Sequence, residues 1–150
     1  MEVLMKTKGI RIFDRNGNVL QKLSDILQVF TKGSSLYWAI LCLDGTPQPG
    51  QGKYLTEYMD KINNSKNGMT IKWDELFDLS NNFFQMFETI ILGSQNEILL
   101  KRYNDEKEMY TSCEVVIDLI DCAFWEVYSK DFDLILKLKN KFNEVEDVKI

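Results

Sequence analysis

Apolar and polar positions fall into short blocks punctuated by glycine, asparagine and aspartate. Gly9 to Arg15 alternates Ile10, Ile12 and Phe13 with charged residues and predicts a strand ending at the turn dipeptide Asn16-Gly17. Ser24 and Asp25 then predict the cap of a short helix burying Ile26, Leu27, Val29 and Phe30, stopped at Lys32-Gly33-Ser34. Leu36 to Leu43 is apolar on both alternating faces, the pattern of a central strand covered on two sides. A glycine- and proline-rich loop from Gly45 to Gly52 follows. Beyond it, Tyr54, Tyr58 and Ile62, with Leu55 and Met59 beside them, predict a helix over Lys53 to Asn63.

Asn67-Gly68 predicts a turn, and Met69 to Lys72 a brief extended piece. Asp74 and Glu75 open another helix at its positive end, with Leu76, Phe77, Leu79 and Phe83 as the buried stripe. Phe84 to Leu92 reads as a strand closed by Gly93-Ser94, Ile98 to Tyr103 as a further one, and Asn104 to Glu108 as a polar loop. Strands follow over 113 to 120 and 124 to 128, with a break or bulge at Asp121-Cys122. Ser129 caps a last helix whose acids come first and lysines last, and whose apolar face is Phe132, Ile135, Leu138 and Phe142. The expectation is one α+β domain over residues 1–150, with a mostly antiparallel or mixed sheet flanked by about four helices.

Composition narrows the function. With 150 residues, 45% of them apolar, the chain can bury a sizeable core. Its 23 acids against 18 bases give a net charge of -5, which disfavours nucleic acid and anionic membrane surfaces as partners. A basic protein partner suits that charge, since a negative surface speeds encounter with one. Cys42, Cys113 and Cys122 have neither zinc-ligand nor disulfide-scaffold spacing, and an odd count fits a reducing compartment. Met1 to Lys8 lacks the apolar core of a signal peptide, and no run nears the roughly 20 apolar residues of a membrane span. A cytoplasmic location is expected.

The chain contains no histidine. That removes Ser-His-Asp triads, Cys-His pairs and histidine-anchored metal centres. Gly45 to Lys53 lies between a strand and a helix, as a phosphate-binding loop would. However, Gly50 is followed by Gln51, Lys53 comes two residues late, and Pro47 and Pro49 remove backbone donors. A connecting loop is the better reading. No EF-hand spacing occurs, and paired carboxylates cannot be given a separation from sequence. Neither catalytic nor metal-ligating residues nor a cofactor are therefore assigned. Trp38, Trp73 and Trp125 could anchor a partner, but core packing accounts for them more simply.

The acids of the second half form the remaining candidate. Asp105, Glu106 and Glu108 share one segment, while Asp118, Asp121 and Glu126 lie on or beside the last two predicted strands. If those strands are neighbours, the carboxylates join into one negative face. Asp105, Glu106, Glu108, Asp121 and Glu126 are the partner-binding candidates.

Two stretches also carry a resemblance. One is Ile71-Lys72-Trp73-Asp74-Glu75-Leu76, then Gln85 and Ile90-Ile91-Leu92-Gly93. The other is Asp121, then Trp125 to Asp131, with Leu134, Leu138 and Phe142 after it. Together, over about half the chain, they resemble the small acidic immunity proteins that accompany bacterial polymorphic and contact-dependent toxins, in spacing rather than through an invariant motif. The resemblance implies a cytoplasmic, non-catalytic inhibitor that binds a cognate toxin domain, often a basic nuclease, without membrane, nucleic acid or cofactor. The alternative is a non-catalytic adaptor or structural protein-binding domain of a phage or mobile element. An enzyme using carboxylates or the glycine-rich loop is the third reading.

Overall fold

Ile91, Ile117, Val127 and Ile10 stand side by side in one register row across four strands, each at most 1% exposed. This row is the spine of the core, and alternation along each strand sets up two faces around it. A computed structural model describes residues 6–150. Its strands are β1 (Lys8–Ile12), β2 (Arg15–Asn16), β3 (Val19–Leu20), β4 (Tyr37–Pro47), β5 (Met69–Ile71), β6 (Phe83–Ser94), β7 (Val115–Ile120), β8 (Phe124–Ser129) and β9 (Val145–Val148). Seven of them form one sheet in the order β5-β4-β6-β7-β8-β1-β9, and every neighbouring pair is antiparallel. β2 and β3 make a separate small hairpin around Gly17. The helices are α1 (Leu23–Leu27), α2 (Gly52–Asn63), α3 (Trp73–Asn81), α4 (Glu106–Ser112) and α5 (Phe132–Lys141). The chain is an α+β domain, as its hydrophobic pattern implies.

The two faces are covered unequally. Apolar residues of α1, α2, α3 and α5 pack on the face carrying Ile10, Ile12, Trp38, Ile40, Ile117, Trp125 and Val127. Phe30, Trp38, Trp73 and Phe77 make an aromatic cluster there, with Trp38 and Trp73 centroids 5.2 Å apart. Trp125 is also buried, its indole N–H donating to the Gln21 carbonyl at 2.8 Å. Trp38 and Trp125 are core residues, and Trp73 is half-buried with its ring packed against that core. The opposite face holds a smaller cluster, Ala39, Leu41, Leu92, Val116 and Tyr128, covered by Met109 and Tyr110 of α4 and by the turn around Leu99 and Leu100. Among the described residues, α4 is the one α-helix on that side.

Polar groups finish the sheet where strands run out. Beyond the short β5, Asn63 takes the place of a neighbouring strand: its Oδ1 accepts from the Leu43 N–H at 3.0 Å and its Nδ2 donates to the Leu43 carbonyl at 2.9 Å. At the opposite end, buried Asp14 accepts from the Asn143 and Glu144 amides at 2.9 and 2.8 Å and delivers the chain to β9. Arg102 donates to the Ile62 and Ser65 carbonyls, placing a cation at the negative end of α2.

Several expectations need correction. The strand expected over Ile98 to Tyr103 is instead a one-turn 3-10 helix (Glu97–Leu99) and irregular chain, because the Asn96 side chain accepts from the Ile98 N–H and diverts it from sheet pairing. The polar loop expected at Asn104 to Glu108 opens α4, with Asp105 as its cap. That makes five helices where four were expected. β4 runs through to Pro47, so the loop starting at Gly45 shortens to residues 48–51. β9 has no alternating signal; it forms because Asp14 holds the chain against the open edge of β1. The last helix is capped by Asp131, which accepts from the Asp133 and Leu134 amides, rather than by Ser129. Phe132 and Tyr54, expected on buried faces, are exposed. Each sits in the first turn of its helix. No helix among the described residues is long and apolar enough to cross a membrane.

Candidate interaction face

The less covered face of the sheet carries a row that is charged from β7 to β9. Cys42, Ile90, Asp118, Glu126, Arg11 and Glu146 are successive cross-strand partners on β4, β6, β7, β8, β1 and β9. Asp44 and Glu88 form the adjacent pair on β4 and β6, and both are exposed. Strand period two puts all of these side chains on the side that α4 covers only in part.

Asp118 and Glu126 are directly opposed, and both are buried, at 7% and 3% exposure. Like charges facing each other across a strand pair repel, so each needs partners. Glu126 has two: Arg11 Nε donates to its Oε2 at 2.7 Å and the Tyr128 hydroxyl to its Oε1 at 3.0 Å. Asp118 accepts from the Tyr110 hydroxyl at 3.0 Å and has no cation within ion-pair distance among the described residues. The Tyr110 and Tyr128 rings stack with centroids 3.9 Å apart and planes 11° from parallel. The stack closes a ring of four residues, the two tyrosines and the two carboxylates. Gly9 permits this, since a Cβ there would fall 2.5 Å from the Tyr128 ring.

The charges respond as this packing dictates. Burial, with help from Glu126, Glu106 and Glu88, pushes the Asp118 carboxyl up to about 6 against the opposing effect of the Tyr110 hydrogen bond. The Tyr110 and Tyr128 phenols are raised, first by burial and then by the neighbouring carboxylates. Arg11 is raised, chiefly by its hydrogen bond to Glu126. Cys42 and Cys113 are each pushed up to about 11, mainly by burial. Thiols held this high are poor nucleophiles at neutral pH.

A second feature is a cleft of about 260 Å³ between the α1 end, the start of β7 and the start of α5. Val29, Phe30, Leu36, Val115 and Leu134 form its apolar lining. The charges on its rim are largely committed internally. Glu114 accepts from the Gln95 amide, Lys130 donates to the Ser112 carbonyl, Asp131 caps α5, and Lys137 pairs with Asp133. No group of three or more His, Cys, Asp or Glu among the described residues is placed to hold a metal ion.

β7 and β8 are neighbours, so the condition for a joint acidic face is met. Glu106 lies close enough to Asp118 to raise it, and Glu108 sits in the same first helical turn. Asp105 is exposed but spends an oxygen on the Lys107 amide as helix cap. Asp121 occupies the β7–β8 turn; the Cys122 thiol beside it is raised first by burial and then by Asp121 and Asp44, against the opposing effect of Arg15. Glu126 differs from the other candidates: it is buried and committed to Arg11, so it organises the face rather than offering a free charge. Arg11, Tyr110, Tyr128, Asp44 and Glu88 belong to the same face and were not singled out from sequence. The available signal was a charged residue amid apolar alternation, as in Ile10-Arg11-Ile12 and Trp125-Glu126-Val127.

No family model matches the chain, and no curated protein or solved structure is found to be similar to it.

Proposed function

We propose that this chain is a non-catalytic binding domain that captures a basic protein partner on its acidic sheet face. The observation that carries this reading is the juxtaposition of exposed Asp44, Glu88, Glu106, Asp121 and Glu146 around a row whose arginine is already paired with Glu126. Such a face sets up a negative potential that raises encounter rates with a cationic surface and selects against acidic ones. The acidic net charge acts in the same direction. The resemblance of residues 71–93 and 121–142 to immunity proteins makes the partner a toxin domain and the outcome its neutralisation in the cytoplasm.

The test is co-expression with the product of the neighbouring gene, where the toxin of an immunity protein is expected, followed by association kinetics at increasing ionic strength. Rescue of growth, with an association rate that falls steeply between low and physiological salt, is the expected result. Replacing Asp44 and Glu88 together by lysine slows association and leaves the fold intact. Binding that ignores both salt and these replacements overturns the acidic-face reading, and failure to rescue growth overturns the immunity reading.

A further inference from the structure

We propose that Asp118 and Tyr110 form a proton-operated latch that sets how firmly α4 is held on the sheet. The latch is a property of this chain alone and does not rest on the identity of any partner. Its geometry is the ring described above: α4 reaches the sheet face through the Tyr110 hydroxyl on Asp118 and through the Tyr110–Tyr128 stack, with Met109 buried beside them. The groups facing Asp118 come from every element around it. They are Tyr110 and Glu106 of α4, Glu126 and Tyr128 of β8, Glu88 of β6 and Cys42 of β4, with Arg11 of β1 held on Glu126.

The direction follows from the cost of the charge. While α4 is docked, the Asp118 carboxylate is shielded from water and faces three other acids. These together outweigh the Tyr110 hydrogen bond that favours the charged form, so the docked state favours the protonated form. When α4 lifts, water reaches the carboxylate and Glu106 moves away, while Glu126 and Glu88 stay on β8 and β6. The acid strength therefore returns part of the way to the ordinary value. Deprotonation therefore favours lifting, and acidification tightens the latch. With Asp118 near 6 in the docked state and 3.8 as the limit for a fully hydrated carboxylate, the opening equilibrium increases by at most about tenfold from pH 5 to pH 7.5. Lifting uncovers Leu92 and Val116, both fully buried, so the charge on one carboxylate governs access to an apolar patch.

Amide hydrogen exchange at Met109 and Tyr110, corrected for the intrinsic pH dependence, reads the opening directly. Protection at these amides falls several-fold, and by no more than about tenfold, between pH 5 and pH 7.5, and Asp118→Asn abolishes that dependence. Carbon-detected titration of the Asp118 carboxyl supplies the midpoint. Tyr110→Phe removes the hydrogen bond that stabilises the charged form, so it moves this midpoint upward while keeping the ring stack. An α4 protection profile identical in wild type and Asp118→Asn overturns the latch. So does an Asp118 carboxyl that titrates at the ordinary aspartate value, or a midpoint unmoved by Tyr110→Phe.

Discussion

Arg11 and Glu126 are bound at 2.7 Å from opposite sides of the solvent boundary, the arginine side chain 40% exposed and the glutamate 4%. The pair is therefore asymmetric in what its loss leaves behind. Without Glu126, the guanidinium turns into water. Without Arg11, the carboxylate stays buried with one tyrosine hydroxyl and faces Asp118 across the strand pair. Arg11→Ala is expected to cost about 3 kcal/mol, the scale for stranding a buried charge, and Glu126→Gln about 1 kcal/mol. Urea unfolding of the two variants checks this order. Equal losses would mean that Glu126 finds another partner.

Asp118 makes the stability of the fold depend on pH with a definite sign. Its folded-state acid strength is weakened from 3.8 to about 6, so the native protein binds this proton more tightly than the unfolded chain. The resulting penalty is full above about pH 6 and fades as pH falls towards 4. Between pH 7.5 and pH 5 this one group adds about 1.4 kcal/mol to stability. Other carboxylates titrate over the same range, so the measurement is the difference between wild type and Asp118→Asn. The wild type gains on acidification relative to the variant; a constant difference refutes the assignment.

The sheet was legible where a short run is apolar on both alternating faces, broken at most by a single charge such as Asp118 or Glu126. Val115 to Ile120, Phe124 to Tyr128 and Leu36 to Leu43 carry the period-two signal of strands buried on both sides, and all three lie in the sheet interior. The pattern fails where side chains replace periodicity. Asn96 redirects the chain before Ile98, Asp105 turns a polar loop into a helix start, and Asp14 creates β9 from a segment with no alternation. The candidate face was half legible for the same reason. Acids could be counted along the chain, and β7 and β8 could be guessed as neighbours. Nothing local, however, states that Arg11, 115 residues away from Glu126, neutralises it. Nor does sequence show that Tyr110 lies over Asp118 rather than in solvent.

Asn63 is expected to act as a surrogate strand. It satisfies both the N–H and the carbonyl of Leu43 at the edge that β5 leaves uncovered. Asn63→Ala leaves both backbone groups without these partners, at a cost of about 2 kcal/mol. Asn63→Asp keeps the acceptor but sets a carboxylate against the Leu43 carbonyl, so it does not rescue stability. Denaturant midpoints fall for both variants with an unchanged slope, since the surface exposed on unfolding is the same. A wild-type midpoint in either variant shows that the edge needs no cap.

The β7–β8 hairpin offers the opposite kind of test, a gain. Asp121 and Cys122 both have positive φ, +48° and +57°, and the Ala123 amide donates to the Ile120 carbonyl at 2.8 Å. This is a two-residue turn with both central residues left-handed, a conformation that favours Asn, Asp and Gly because a Cβ is strained there. Aspartate already suits the first position, whereas cysteine does not suit the second. Cys122→Gly relieves that strain and loses part of the gain to the greater freedom of glycine in the unfolded chain, for a net of about 0.5 kcal/mol. For a domain of this size, that raises the melting temperature by about 1–2 °C. Cys122→Ala, which keeps the Cβ and removes only the thiol, leaves it unchanged. If the alanine variant gains as much as the glycine one, the thiol rather than the backbone is the source of the strain.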